Sequence, residues 1–210
     1  MIHKRIYRGE ELLNAISHSI GIVFGFVGLF LLLEKDSIKT KYSTFSIFVY
    51  SISFILLFSA STIYHSVTSV KMKRRLRVVD HISIYLLIAG TYTPLALINL
   101  INASGWMLFY SVWGIAIIGT VLKIFFTGKY EIISLLLYLA MGWLVVFDYA
   151  NVLDYVPNLG LNLLFLGGIF YTAGTIFYAI ERIPYNHFVW HLFVLAGAIS
   201  HWFFIYYGVV

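Results

Sequence analysis

Cysteine is missing altogether from these 210 residues, and charge is scarce at 11%. The first absence excludes disulfides, thiolate metal sites and thiol nucleophiles, so a metal could be held only by His, Asp or Glu. The second excludes an ordinary soluble domain, in which roughly a quarter of residues are charged and about half are apolar. Here 61% are hydrophobic, and that surplus has nowhere to go except lipid. Internal repeats, low-complexity stretches and linkers long enough to separate domains are also lacking. One all-α domain over residues 1–210 is therefore expected.

A net charge of +5 does not signal nucleic acid, because the basic residues sit between apolar blocks, where membrane topology signals belong. Met1 to Glu11 is polar and mixed in charge. The apolar block after it is too long for a signal-peptide core and has no small-residue cleavage site, so it reads as a retained first span.

A transmembrane helix needs about 20 mostly apolar residues. Blocks of that kind run over Leu12–Leu33, Ser43–Val67, Asp80–Ile101, Trp106–Phe126, Tyr130–Ala150, Leu159–Ile180 and Asn186–Val209. Only Thr127-Gly128-Lys129 divides the fourth from the fifth, so six spans is the rival count. Charge decides between them. With seven spans, one side holds Lys4, Arg5, Arg8, the run Lys71, Lys73, Arg74, Arg75 and Arg77, then Lys123, Lys129 and Arg182. The other holds only Lys35, Lys39 and Lys41. Cytoplasmic loops carry the excess Lys and Arg, so seven spans with the N-terminus cytoplasmic and the C-terminus outside is the expected architecture. A six-span path loses this alternation.

Ionisable groups inside spans are expensive, roughly 2.5–3.5 kcal/mol for Asp or Lys at a helix centre on insertion scales, so each needs a reason. The topology sets His65 at the end of span 2, Asp80 at the start of span 3, and His187 and His191 at the start of span 7. His18 lies within two turns of the start of span 1. All five fall at a similar depth in the cytoplasmic leaflet, although they are far apart in the chain. His187 and His191 are spaced i, i+4 and share one helical face. With His65 as a third ligand, one position stays open for water, which is the arrangement of catalytic zinc. Ser61 lies one turn before His65 and could hydrogen-bond a ligand or that water. Asp80 could orient the water or act as its base. The plain alternative is that these histidines only hydrogen-bond across the bundle.

His201 is about 15 Å deeper than His191 on nearly the same face, too far to share a metal, and an interhelical hydrogen bond is expected there. Glu11, Asn14 and His18 form an i, i+3, i+7 stripe that either packs against the bundle or walls the same cavity. Gly21-x-x-x-Gly25 reads as close helix packing. Pro94 should bend span 3, with nearby hydroxyls satisfying freed carbonyls. The run from Lys71 to Arg77 is a topology signal that also suits anionic headgroups. His3, Asp148 and Asp154 are expected to be solvated.

Four pieces together resemble the hemolysin III family, bacterial relatives of the adiponectin and progestin receptors. They are Glu11-Leu-Leu-Asn14-Ala-Ile-Ser-His18, Ser61-Thr-Ile-Tyr-His65, Asp80-His81-Ile82-Ser83, and His187-Phe-Val-Trp-His191 followed by Ser200-His201. The resemblance covers essentially the whole chain. It implies a multi-pass protein of a bacterial inner membrane, with Zn2+ on His65, His187 and His191 and with Ser61 and Asp80 beside the metal or its water. His81 neighbours Asp80 without an assigned ligand role. The expected function is a zinc-dependent hydrolase of a lipid amide or ester, with Asp80 as general base and a membrane lipid in a cytoplasmic-leaflet cavity as substrate. The eukaryotic relatives suggest a ceramide-like amide. One rival is a sensor or regulator of membrane homeostasis whose zinc is structural. A hemolysin-like pore is the other, but it would want polar residues through the full depth, and here only His201 lies deep.

Overall fold

In lipid every backbone N–H and C=O must pair within the spanning structure, so long apolar runs fold as helices. The computed structural model describes residues 2–180 and 182–210. Met1, Glu181 and the side chains of residues 2–8, including His3, Lys4, Arg5 and Arg8, lie outside the described residues. The helices are α1 (Ile2–Lys35), α2 (Ser43–Ser66), α3 (Val70–Pro94), α4 (Gly105–Phe126), α5 (Glu131–Gly142), α6 (Tyr149–Tyr155), α7 (Asn158–Ala179) and α8 (Asn186–Phe204). No strand occurs among the described residues. Among the described residues seven segments are long and apolar enough to cross a membrane, the fifth running Glu131–Tyr155 through α5 and α6. Large side chains such as Phe147, 90% exposed, face outward from them. On a soluble protein such an apolar surface would be an aggregation hazard; on a lipid-facing helix it is the solvated face.

Two boundaries differ from expectation. Helix α3 starts at Val70, ten residues before Asp80, because Lys71, Lys73, Arg74, Arg75 and Arg77 are themselves helical. Lys and Arg are good helix formers, and their long stems let the charges reach water while the backbone continues inward. The fifth span is broken: α5 ends at Gly142 and a 3₁₀ turn, Leu144–Asp148, leads into α6. The Tyr92 hydroxyl mends the break, donating to Gly142 O at 2.7 Å and accepting from Val145 N at 3.0 Å.

Pro94 closes α3, and a π-helical turn, Leu95–Asn99, follows, with Leu100 N donating to Leu95 O at 3.0 Å. Threonine hydroxyls do bind carbonyls of the preceding turn, Thr91 to Leu87 O and Thr93 to Ala89 O, both at 2.8 Å. Neither reaches Gly90 O, the acceptor for which proline lacks an N–H. At the opposite end of the chain, Lys35 and Lys39 donate to Tyr206 O and Val209 O, carbonyls of a second π-helical turn, Ile205–Val209. Cations are favoured at a helix C-terminus.

Helix α1 lies between α2 and α8 and packs against both; α2 packs on α3, and α7 on α8. Helix α5 bridges α3 and α7 and closes a ring, leaving α4 outside against α3. Gly21 and Gly25 bring α1 close to α2, as a Cβ at either would run into Phe58 or Ile55. The ring encloses a cavity.

Candidate metal centre

Two helix ends converge at one end of that ring. His65 is in the last turn of α2, and His187 and His191 occupy the first two turns of α8. One ring nitrogen from each of the three lies within 4.8 Å of the others. Ring centroids are 5.2 Å apart for His65–His187, 4.7 Å for His65–His191 and 4.7 Å for His187–His191. Tetrahedral zinc with Zn–N of about 2.0–2.1 Å places its nitrogens roughly 3.4 Å apart, so small rotations of the rings suffice to meet on one ion.

The donor atoms fit such an ion. His65 Nδ1 lies 3.1 Å from Glu11 Oε2. A carboxylate can only accept, so this contact puts the imidazole proton on Nδ1 and leaves Nε2 with its lone pair. That Nε2 is buried and has no hydrogen-bond partner, and the same is true of His191 Nδ1. Buried polar atoms are nearly always partnered, so orphan nitrogens in a three-histidine cluster are donors that a cation could take up. Four-coordinate zinc held by three histidines keeps one position open.

Ser61 is one turn before His65 on α2, and it lines one cavity together with Asp80 of α3. Both line the same cavity as His187 and His191. The structure thus brings together all five residues singled out in the sequence. His18 joins them from α1, buried, with its ring stacked on His191 at 3.8 Å between centroids. Of the Glu11, Asn14 and His18 stripe, His18 lines the cavity, whereas Glu11 supports the site from behind, with the Asn14 amide beside it 3.4 Å from His65 Nδ1.

From this end the cavity runs inward past Leu57, Leu87, Leu135 and Val194 to His201 and Phe204. His187 and Phe204 are both on α8, which makes the cavity about 25 Å long at ~1.5 Å per residue. His201, as expected, makes an interhelical contact, Nε2 to Leu164 O at 3.1 Å.

Several residues have roles that the sequence did not disclose. Glu10 accepts from the backbone N–H groups of His187 and Phe188, at 3.1 and 3.4 Å. Lys123 is a buried side chain, 1% exposed, and not a loop charge; it donates to Glu131 Oε2 at 2.8 Å. Arg77 and His81 face the same carboxylate at 3.2 and 3.5 Å. Asp148 accepts from Ser104 and, at 2.7 Å, from Asn151, so it is bonded within the protein and not simply solvated. Only the i, i+8 spacing of Lys123 and Glu131 across a Gly turn could have hinted at any of these.

Comparison with known proteins agrees with this architecture. The family model described as "Haemolysin-III related" matches residues 6–202. The "Hemolysin-3 homolog" of Bacillus subtilis (strain 168) is 40% identical over 195 residues, covering 92% of each chain. "Hemolysin-3" of Bacillus cereus is 40% identical over 195 residues, covering 92% of this chain and 89% of its own. The human "Monocyte to macrophage differentiation factor" is 30% identical over 208 residues, covering 94% and 83%. No solved structure matches. With the family model spanning nearly the whole chain and seven apolar helices to carry it, this protein is a multi-pass membrane protein of the haemolysin-III related family.

Proposed function

We propose that this protein is a zinc-dependent hydrolase of an amide or ester bond in a membrane lipid. One observation carries the reading: orphan histidine nitrogens from α2 and α8 converge beside an Asp–Ser pair at the end of a long apolar cavity. His65, His187 and His191 would hold the ion, which when bound supplies Lewis acidity toward a carbonyl and lowers the pKa of water toward ~7.

The chain's own residues do the rest. Leu57, Leu87, Leu135 and Val194 give an acyl chain an apolar channel, so that the carbonyl comes to rest at the histidines. An Asp80 carboxylate oxygen takes the proton of the attacking water as the new C–O bond forms. It returns that proton to the leaving nitrogen or oxygen as the old bond breaks, releasing a fatty acid and an amine or alcohol. Ser61, beside Asp80 in the cavity, would hold the other part of the carboxylate by its hydroxyl and fix the direction of the base. The excess of Lys and Arg on the N-terminal side supports a site in the cytoplasmic leaflet of a bacterial inner membrane.

Metal content by plasma mass spectrometry, on detergent-purified wild type and a His187→Ala/His191→Ala variant, is the first test. About one zinc per chain, absent from the variant, followed by fatty-acid release from a lipid panel, is the expected result. No metal in wild type purified without chelator would sink the hydrolase. A second reading has its own observation: α1 separates α2 from α8, so an ion on His65, His187 and His191 would clamp two helices that α1 holds apart. Loaded protein that never turns over any lipid, yet melts far lower once stripped, would make the ion a structural clamp of a sensor.

A further inference from the structure

Helix α8 begins badly. Its N-cap, Tyr185, has a left-handed backbone with φ of 59° and makes no side-chain cap bond. The first N–H groups of a helix have no partners within it and need an outside acceptor. They find one in Glu10, whose Oε1 accepts from His187 N and Phe188 N across 177 and 178 residues of chain. A carboxylate there also complements the positive end of the helix dipole.

The next residue does the matching task on the opposite side. Glu11 Oε2 accepts from His65 Nδ1 at 3.1 Å and is itself held by Lys73 of α3. Consecutive residues on a helix point about 100° apart. Because α1 lies between α2 and α8, that angle lets Glu10 face the start of α8 while Glu11 faces the end of α2.

We infer that Glu10 and Glu11 are the positioning pair of the histidine cluster. Glu11 fixes the tautomer and tilt of His65, and Glu10 fixes the first turn of α8, which carries His187 and precedes His191. The inference rests on the zinc reading above. A carboxylate that accepts the second ring N–H of a ligand histidine raises its basicity, and losing such a partner typically weakens metal binding ~10–100-fold.

The test is metal affinity, measured by competition with a chromophoric chelator, together with the visible absorption of the Co2+-loaded protein. Glu11→Gln keeps the shape but replaces the charged acceptor; affinity should fall ~10–100-fold and the Co2+ bands should shift. Glu10→Ala should weaken affinity as well, and Glu10→Gln, which keeps an acceptor oxygen for the two N–H groups, should recover most of it. Lys73→Gln leaves the Glu11–His65 contact in place and should bind close to wild type. Thermal melts of the metal-free forms separate these effects from misfolding, since the metal-free Glu11→Gln protein should melt like metal-free wild type.

Wild-type affinity and an unchanged Co2+ spectrum in Glu11→Gln, with wild type loading normally, would overturn this inference alone. An equal loss in Lys73→Gln would assign the effect to the ion pair with α3 and overturn the role given to Glu11. A wild type that takes up no metal would overturn the zinc reading, and this inference with it.

Discussion

At the scale of single residues, the same side-chain type serves opposite ends depending on what faces it. Asp80 stands in the cavity with Ser61 and the histidines, an arrangement suited to moving a proton. Glu131 stands among Lys123, Arg77 and His81 and accepts from Gly128 N at 2.8 Å, an arrangement suited to staying charged. Asp80→Asn should therefore keep zinc at wild-type stoichiometry while lipid turnover falls by about 10²–10⁴, the usual contribution of a general base. Metal analysis and fatty-acid release on the same preparation check both halves. Glu131→Gln should destabilise by about 3 kcal/mol or more, because it strands the buried ammonium of Lys123. Adding Lys123→Met should recover most of that loss, as removing both partners of a buried pair is often neutral; melts of the single and double variants decide it. The histidines were legible in the sequence through i, i+4 spacing and depth alone. Glu10 was not, since its partners are backbone groups at the far end of the chain, and no side-chain pattern marks a donor that every residue carries.

At the scale of elements, the apolar runs marked all seven crossings, because lipid leaves a spanning chain almost no choice but helix. Their ends were less legible. The Lys71–Arg77 run reads as a loop by polarity yet continues α3, since polarity reports where a segment sits and not how its backbone folds. The break between α5 and α6 was invisible because the phenol that fills it, Tyr92, belongs to another helix. The turn after Pro94 offers a test of how tightly such irregular points are built. Gly105 N donates to Leu100 O at 2.8 Å, and a Cβ on Gly105 would press into the carbonyls of Ala96 and Leu100. Those are backbone atoms of a buried π-helical turn and its C-cap, and they cannot swing aside as a side chain would. Gly105→Ala should lower stability by about 1–3 kcal/mol, the range for overpacking. Thermal unfolding in detergent should show it, while Gly114→Ala, where a Cβ meets nothing within 4 Å, should be silent.

At the scale of the whole molecule, the remaining question is direction: an odd number of crossings puts the termini on opposite sides, and the charge pattern predicts which is which. The Lys71–Arg77 run outweighs Lys35, Lys39 and Lys41, and two of those three are spent on the carbonyls that end the last helix or lie near it. Lys35 and Lys39 thus have a local reason to be where they are, which strengthens the asymmetry among the charges left to signal topology. The chain's lack of cysteine makes the test direct. Ser37 lies exposed in the connection between α1 and α2, and Lys129 lies exposed between α4 and α5, on opposite sides of the bundle. In spheroplasts, Ser37→Cys should react with a membrane-impermeant maleimide, and Lys129→Cys should react only after permeabilisation. That outcome would put the histidine cluster, which shares its end of the bundle with Lys129, in the cytoplasmic leaflet, and would point any substrate search at inner-leaflet lipids. The reverse labelling would turn the bundle over, place the cluster on the outer side, and leave the Lys71–Arg77 run facing outward against the positive-inside rule.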